Sequence, residues 1–366
     1  MYYIDKEFLG LEPSTKCRML CEDGTLNPGT VGAFLQIAHV KNNFIPSEII
    51  NTLSVCNIPI HKAGLSYLVR KQELNDILEL HKRNVDIAIG VMGEYIKIYS
   101  DNIHTLNSCS PCRFLTTVED IDITPEGFAD PVKYNTVTKT GRMSVVSGPS
   151  FLTMKKDTKS KIISRFQNGK IIEIDFSALE PRTALAIAGS EFAESDDVYA
   201  VVGDILGINS RPVAKQATIS FLYGANITTI SKLIDMPLKS LRPKLNYLKQ
   251  IFKYDEIISK IHAELKANAY FKNHFGRVIF PDSNRDGVLF NNFCQSSAVD
   301  VALSGFASLL KQIKDKNMNT CNVCFIHDAV LLDVPESEIE ALKLMATKLP
   351  TRLGINFPVK LKIVDN

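Results

Sequence analysis

The chain has 366 residues, 45% of them apolar, with 42 Lys and Arg against 40 Asp and Glu for a formal net charge of +2. That length and apolar share suit a sizeable core spread over two or three subdomains. Near-neutral charge neither demands nor excludes nucleic acid, and the lack of any run of eighteen apolar residues argues against a membrane span.

The start, MYYIDKEFLGLEP, has no cationic segment leading into an apolar stretch, so no secretory leader is expected. Residues 1–30 are rich in turn formers and read as irregular. From 31 to 86 the apolar spacing becomes helical, in VGAFLQIAHV, SEIINTLSV and AGLSYLVRKQELNDILELHKR. Residues 86–118 switch to β-branched runs and predict strands. DPVKYNTVTKTGRMSVVSGPS reads as a loop punctuated by Gly141, Gly148 and Pro149. Lys155, Lys156, Lys159, Lys161, Arg165 and Lys170 then crowd together. Such a run is commonly a solvated face, but its place just before the strand KIIEIDF favours phosphate contact.

Beyond that strand, 182–280 reads almost wholly helical, and VLFNNFCQSSAVDVALSGFASLLKQIK predicts one long helix. Residues 322–334 read as a β-hairpin, ESEIEALKLMATKL as a helix and FPVKLKIVD as a closing strand. Strands from three separated regions, with a helical block between the last two, predict an α+β fold: one antiparallel sheet carrying helical lobes. The cysteines lack metal-site spacing. Cys109 and Cys112 form one C-x-x-C, but Cys17, Cys21, Cys56, Cys294, Cys321 and Cys324 supply no second half. Free thiols in a reducing, cytoplasmic compartment are expected.

Chemistry concentrates in IIEIDFSALEPR (171–182), RPVAKQATISFLYG (211–224) and CFIHDAVLLDV (324–334). Asp175 ends an apolar strand and Asp328 sits between the apolar runs VCFI and AVLL, where a charge is costly unless it binds something. The plainer reading of each is an aspartate capping a turn. The middle segment predicts a helix, with Asn209 or Ser210 as cap, Pro212 in the first turn and Gly224 at the end. Arg211, Lys215, Ile219 and Tyr223 recur every four positions and share one face. Arg211 suits bidentate phosphate binding, while Lys215 supplies a point charge and a proton for a departing pyrophosphate. A solvated basic stripe is the plainer reading here. Two carboxylates flanking a cationic helix are what metal-dependent nucleotidyl transfer needs, with two divalent ions about 4 Å apart.

In these segments the chain resembles family A DNA polymerases (the DNA polymerase I type). DFSALEPR is similar to the family signature D-[YF]-S-x-[IL]-E-x-R, and IHDAVLLDV to its V-H-D-E hairpin. YNTVTKTGRMS is similar to T-x-T-GR-[LM]-S, NNFCQSSAVD to N-x3-Q-[GS]-[TS]-A-x-D, and INFPVKLKIVD to the last palm strand. The resemblance covers roughly 130–366.

It implies a right-hand polymerase: an N-terminal arm and thumb-like helical region over 1–90, palm over 91–182 and 281–366, and fingers over 183–280. The thumb would grip duplex through Lys62, Arg70, Lys71, Lys82 and Arg83, which suit an ordinary helix exterior equally well. Asp175, the Phe176 carbonyl and Asp328 would bind two Mg2+ ions, with Mn2+ as substitute. Arg211, Lys215, Tyr223, Ile219, Tyr199 and Glu180 would form the dNTP site, Glu180 excluding a 2′-hydroxyl. Arg142, Asn291, Gln295, His327 and Arg182 would meet primer and template, Arg142 probing the minor groove, whose acceptors barely depend on sequence.

Three positions depart from the family. Ala329 replaces the usual Glu after the hairpin aspartate, which puts metal affinity or rate in question. Ile219 stands where an aromatic residue is usual, and Tyr199 where a phosphate-binding His is usual. The pair Asp5 and Glu7 mimics the start of a proofreading exonuclease, but the remaining length has no room for that domain beside a thumb. No proofreading is therefore expected, leaving open a phage or mobile-element origin or a separate exonuclease or processivity subunit. The implied function is template-dependent DNA synthesis on a primed template. The alternatives are a ribonucleotide-using relative of the single-subunit RNA polymerase type and a non-catalytic DNA-binding derivative.

Overall fold

The computed structural model describes residues 112–118, 121–135, 138–149, 151, 160–268 and 270–364, together with 21–22, 25–26, 51–52 and 55–56. The chain divides into two compact units, Met1–Ser100 and Asp101–Asn366. In the first, β1 (Cys21–Glu22) pairs antiparallel with β2 (Thr25–Leu26). The helices expected over 31–86 fall almost wholly outside the described residues, as do the five thumb cations, Asp5 and Glu7.

The second unit is α+β. Its first strands are β3 (Phe114–Thr116), β4 (Phe128–Ala129), β5 (Lys133–Asn135), β6 (Ser144–Ser147), β7 (Ile162–Ile163) and β8 (Lys170–Phe176). Six helices follow: α1 (Leu179–Ile187), α2 (Val198–Leu206), α3 (Arg211–Leu222), α4 (Ile227–Ile234), α5 (Leu238–Ile251) and α6 (Tyr254–Asn268). The chain ends with β9 (Phe271–Lys272), β10 (Val278–Ile279), α7 (Asp286–Asp315), β11 (Cys321–Ile326), β12 (Ala329–Val334), α8 (Ile339–Met345), β13 (Lys348–Pro350) and β14 (Asn356–Ile363).

The main sheet is antiparallel throughout, in the order β11-β12-β8-β14-β13. β8 is central because both its faces are apolar enough to be covered. Ile172, Ile174 and Phe176 alternate onto one face, where Phe176 meets Phe306 of α7 with ring centroids 5.2 Å apart. On the other, Ile171 joins Phe114, Ala129, Phe151 and Ile162 in a second core. The same alternation carries Glu173 and Asp175 onto this second face. The helical block has its own core, in which Phe221, Phe252, Tyr254 and Phe290 form a chain of ring contacts. Each such buried ring contributes roughly 1.5–3 kcal/mol through apolar burial.

Three local expectations are corrected. The helical reading of 182–280 stops at α6, and 271–279 form the β9–β10 hairpin. Asn273 explains the break: its side-chain oxygen accepts the backbone N–H groups of Phe275 (2.9 Å) and Arg277 (2.8 Å), closing a turn in which Gly276 takes φ 95°. The helix expected from 336 to 349 is cut to α8, since Leu349 is drawn into β13 opposite buried Phe357. The stretch read as a loop over 130–150 holds the β5–β6 pair, anchored where the Tyr134 hydroxyl bonds both the N–H and the C=O of Phe325 at 2.9 Å.

Among the described residues, α7 is the one helix long and apolar enough to cross a membrane, but 78% of its most apolar window is buried inside the protein. It is a core helix.

Candidate functional site

Asp175 lies next to last on β8, with Ala329 of β12 as its partner on one side and Lys360 of β14 on the other. The strands β11 and β12 are joined by His327 and Asp328, with His327 at φ 50°. The Asp328 carbonyl accepts the Phe176 N–H at 3.0 Å, so the turn is fastened to the end of β8 and both aspartates meet at the same end of the central strands. Burial, first, and then the charges of Asp328 and Glu173 push Asp175 up to about 7, with Lys215 and Lys360 opposing. An anionic pocket with too little countercharge and hard oxygen donors fits magnesium, which takes one or two carboxylates and fills its shell with water and phosphate oxygens. Among the described residues no third carboxylate or imidazole joins the pair as a metal cluster.

α3 buries Ala214, Ala217, Thr218, Phe221 and Leu222 against the helical core. Arg211, Lys215, Ile219 and Tyr223 therefore fall on the opposite side, and the Lys215 charge reaches Asp175. Pro212 occupies the first turn, and Ser210 is the capping position, although its side chain makes no capping bond. Gly224 ends the segment at φ 70°, where an added Cβ would lie 2.3 Å from the Gly287 backbone. That contact presses the end of α3 against the start of α7.

Tyr199, the position where a histidine was expected, is nearly buried. Its ring lies 5.4 Å from the Arg211 guanidinium and 5.8 Å from the Lys215 ammonium, a cation–π platform under both. Burial pushes its phenol up to about 12. Asp197 caps α2 through the Tyr199 N–H at 3.0 Å and also accepts from Arg211. Arg211 is thus held by an internal carboxylate.

Glu180, on the first turn of α1, accepts from Arg142, and Tyr223 lies within hydrogen-bonding reach of both. Thr140 donates to Gln295 at 2.8 Å, joining the Arg142 loop to α7. A shallow cleft is lined by Arg142, Glu180, Gln295, Val299, His327 and Asp328. Asn291, half-buried, sits one helical turn before Gln295 on α7.

Two expected contacts are placed elsewhere. Arg182 is 1% exposed, and its guanidinium donates to the carbonyls of Ser177, Ala193 and Ser195 instead of facing a cleft. It braces the turn after α1. Arg165 of the basic run bonds Asp333, Cys112 and the Arg113 carbonyl, so its charge is used within the protein. Lys155, Lys156 and Lys159 lie outside the described residues.

Sequence reasoning missed Arg277 and Asp300, a buried ion pair at 2.7 Å beneath the Arg142 loop. An added Cβ at Gly141 would meet the Arg277 guanidinium at 2.4 Å, so the loop rests directly on this pair. Asn273 completes the network with a 2.7 Å bond to Asp300 and a 3.1 Å bond to Ser296. The F-G-R tripeptide at the β9–β10 turn was the available signal.

The family model for DNA polymerase family A matches residues 76–366. DNA polymerase I of Lactococcus lactis subsp. cremoris is 24% identical over 264 residues, which cover 63% of this chain and 29% of that protein. DNA polymerase I of Borreliella burgdorferi is 23% identical over 258 residues, 62% of this chain and 28% of the relative. The chain thus spans under a third of the length of these curated relatives. The POL domain of Pol1 from M. smegmatis, solved in complex with DNA primer-template and dNTP, superposes with a TM-score of 0.52 at 14% identity, covering 98% of this chain and 66% of that one. At that identity the likeness is one of fold.

Proposed function

This chain belongs to DNA polymerase family A, and we propose that it extends a primer 3′ end with deoxynucleotides on a DNA template, in the cytoplasm of a bacterial or phage-infected cell. The observation that carries this reading is the meeting of Asp175 and Asp328 at one end of the central strands, within reach of the Lys215 charge. In this reading 1–90 is the arm and thumb, 91–182 and 281–366 the palm, and 183–280 the fingers. A separate exonuclease or processivity subunit is a candidate partner.

Asp175, the Phe176 carbonyl and Asp328 would hold two Mg2+ ions, with Mn2+ as substitute. When bound, the ions favour an ionised 3′ oxygen and offset charge on the leaving phosphate. Arg211 and Lys215 bind the triphosphate, and Arg211 must first exchange Asp197 for phosphate. Lys215 gives its Nζ proton to the departing pyrophosphate. Glu180, positioned by Arg142 and Tyr223, closes the space a 2′-hydroxyl would need. Tyr199 supports the two cations from below, and Ile219 offers an aliphatic wall to the incoming sugar and base. Arg142, Gln295, Asn291 and His327 face the terminal primer–template pair across the cleft. Most of the rate gain comes from positioning and charge neutralisation.

Primer extension with magnesium, comparing dNTPs with rNTPs for the parent, Asp175→Ala and Asp328→Ala proteins, tests this. Template-directed extension restricted to dNTPs and lost in both variants is expected. Equal use of rNTPs would favour the ribonucleotide-using alternative. DNA binding without any extension by the parent would favour a non-catalytic derivative.

A further inference from the structure

Away from the cleft, the far end of the β11–β12 hairpin carries a second cluster of reactive groups. Cys112 runs beside edge strand β11, its N–H donating to the Asn322 carbonyl at 2.7 Å. Cys321 is the first residue of β11, next to Asn322, so that backbone bond brings Cys112 alongside it. The Arg165 guanidinium stands over the pair, with Nη2 3.0 Å from Cys112 Sγ and Nε 3.0 Å from the buried Asp333 carboxylate. Cys321 Sγ also lies 3.2 Å from the Asn319 carbonyl. Both thiols are partly open to solvent, whereas Cys294 and Cys324 are buried.

We propose that Cys112 and Cys321 form a reversible dithiol–disulfide couple, oxidised by small-molecule disulfides of the glutathione type, that staples the segment entering β3 to edge strand β11. Cysteines on backbone segments joined by a hydrogen bond one residue away need only a short approach to reach disulfide geometry. The closeness of the two thiols couples their titration, burial raises both, and the Arg165 guanidinium favours a thiolate on the pair. One sulfur then attacks and the other resolves.

The exchange balances in two steps. One thiolate of the pair attacks one sulfur of oxidised glutathione, and a glutathione thiolate leaves. The other thiol, giving up its proton, then attacks the protein sulfur of the mixed disulfide and expels the second glutathione. Two protein thiols are oxidised and one glutathione disulfide is reduced to two thiols. The new bond closes a loop containing the whole helical block, so it restricts the unfolded chain far more than the folded one.

The test incubates the full chain with oxidised glutathione, alkylates the remaining thiols and maps cross-links by fragmentation mass spectrometry. A Cys112–Cys321 link is expected, with Tm raised by about 5 °C or more over the reduced protein. The same link and shift are expected in Cys109→Ser, and no shift in Cys321→Ser. The proposal is overturned if both thiols remain alkylated at saturating oxidant, if Cys112 pairs with Cys109, or if Cys321 stops at the glutathione mixed disulfide.

Discussion

Asp175 shows how a residue suited to catalysis strains the fold that carries it. In the metal-free folded protein its carboxyl is pushed up to about 7, against ~3.9 for an unfolded aspartate. Between these values the folded state keeps a proton that the unfolded state releases, so stability falls as pH rises through the window. Replacing the carboxyl by an amide removes that cost. Asp175→Asn is expected to raise the metal-free Tm at pH 8, by about 2–4 °C for each kcal/mol relieved, with little change at pH 4.5. Magnesium at pH 8 should reverse the order by binding the parent alone. Scanning calorimetry at the two pH values checks this, and a pH-independent difference would remove the electrostatic account. Ala329 is part of the same balance. Directly across from Asp175, it adds no further negative charge where two carboxylates already repel.

At the scale of elements, the placing of Asp175 depends on how β8 meets α7. Gly305 allows the approach: an added Cβ would stand 2.6 Å from the Phe176 ring, and Phe176 has no free space to retreat into. Gly305→Ala is therefore expected to cost about 1–3 kcal/mol in urea denaturation. It should also slow primer extension by displacing the end of β8, while DNA affinity is kept. Adding Phe176→Leu, which opens volume at the contact, should recover part of the stability. No recovery would mean that the glycine serves helix packing elsewhere. α3 obeys a simpler rule, since its four-residue spacing turns Arg211, Lys215, Ile219 and Tyr223 to one side once the other is buried. That face was legible in the sequence. The β9–β10 hairpin was not, because the side-chain bonds of Asn273 overrode an otherwise helical neighbourhood.

Across the whole molecule, the buried Arg277–Asp300 pair joins three distant segments: the Arg142 loop, the β9–β10 hairpin and α7. Arg277→Ala takes the cationic partner from buried Asp300 and leaves it the neutral Asn273 amide, a change expected to cost about 3–5 kcal/mol. It also removes the floor beneath Gly141. Converting both partners to apolar residues should cost far less, and a double-mutant cycle by chemical denaturation checks the coupling. Additive losses would refute it. By itself the sequence determined the α+β class, the long core helix, the aspartate hairpin and the basic helix face, because periods of two and 3.6 are local properties that side chains display without a partner. Motif order was enough to nominate Asp175, Asp328 and Lys215. Only the tertiary structure decided that Lys360 and Ala329 flank Asp175, that Arg182 is spent on carbonyls, that Asp197 holds Arg211, and that Cys112 lies beside Cys321. Alternation along a strand says which face a residue takes but not which strand lies next to it or in what register. Those choices follow from how all the apolar faces are buried together.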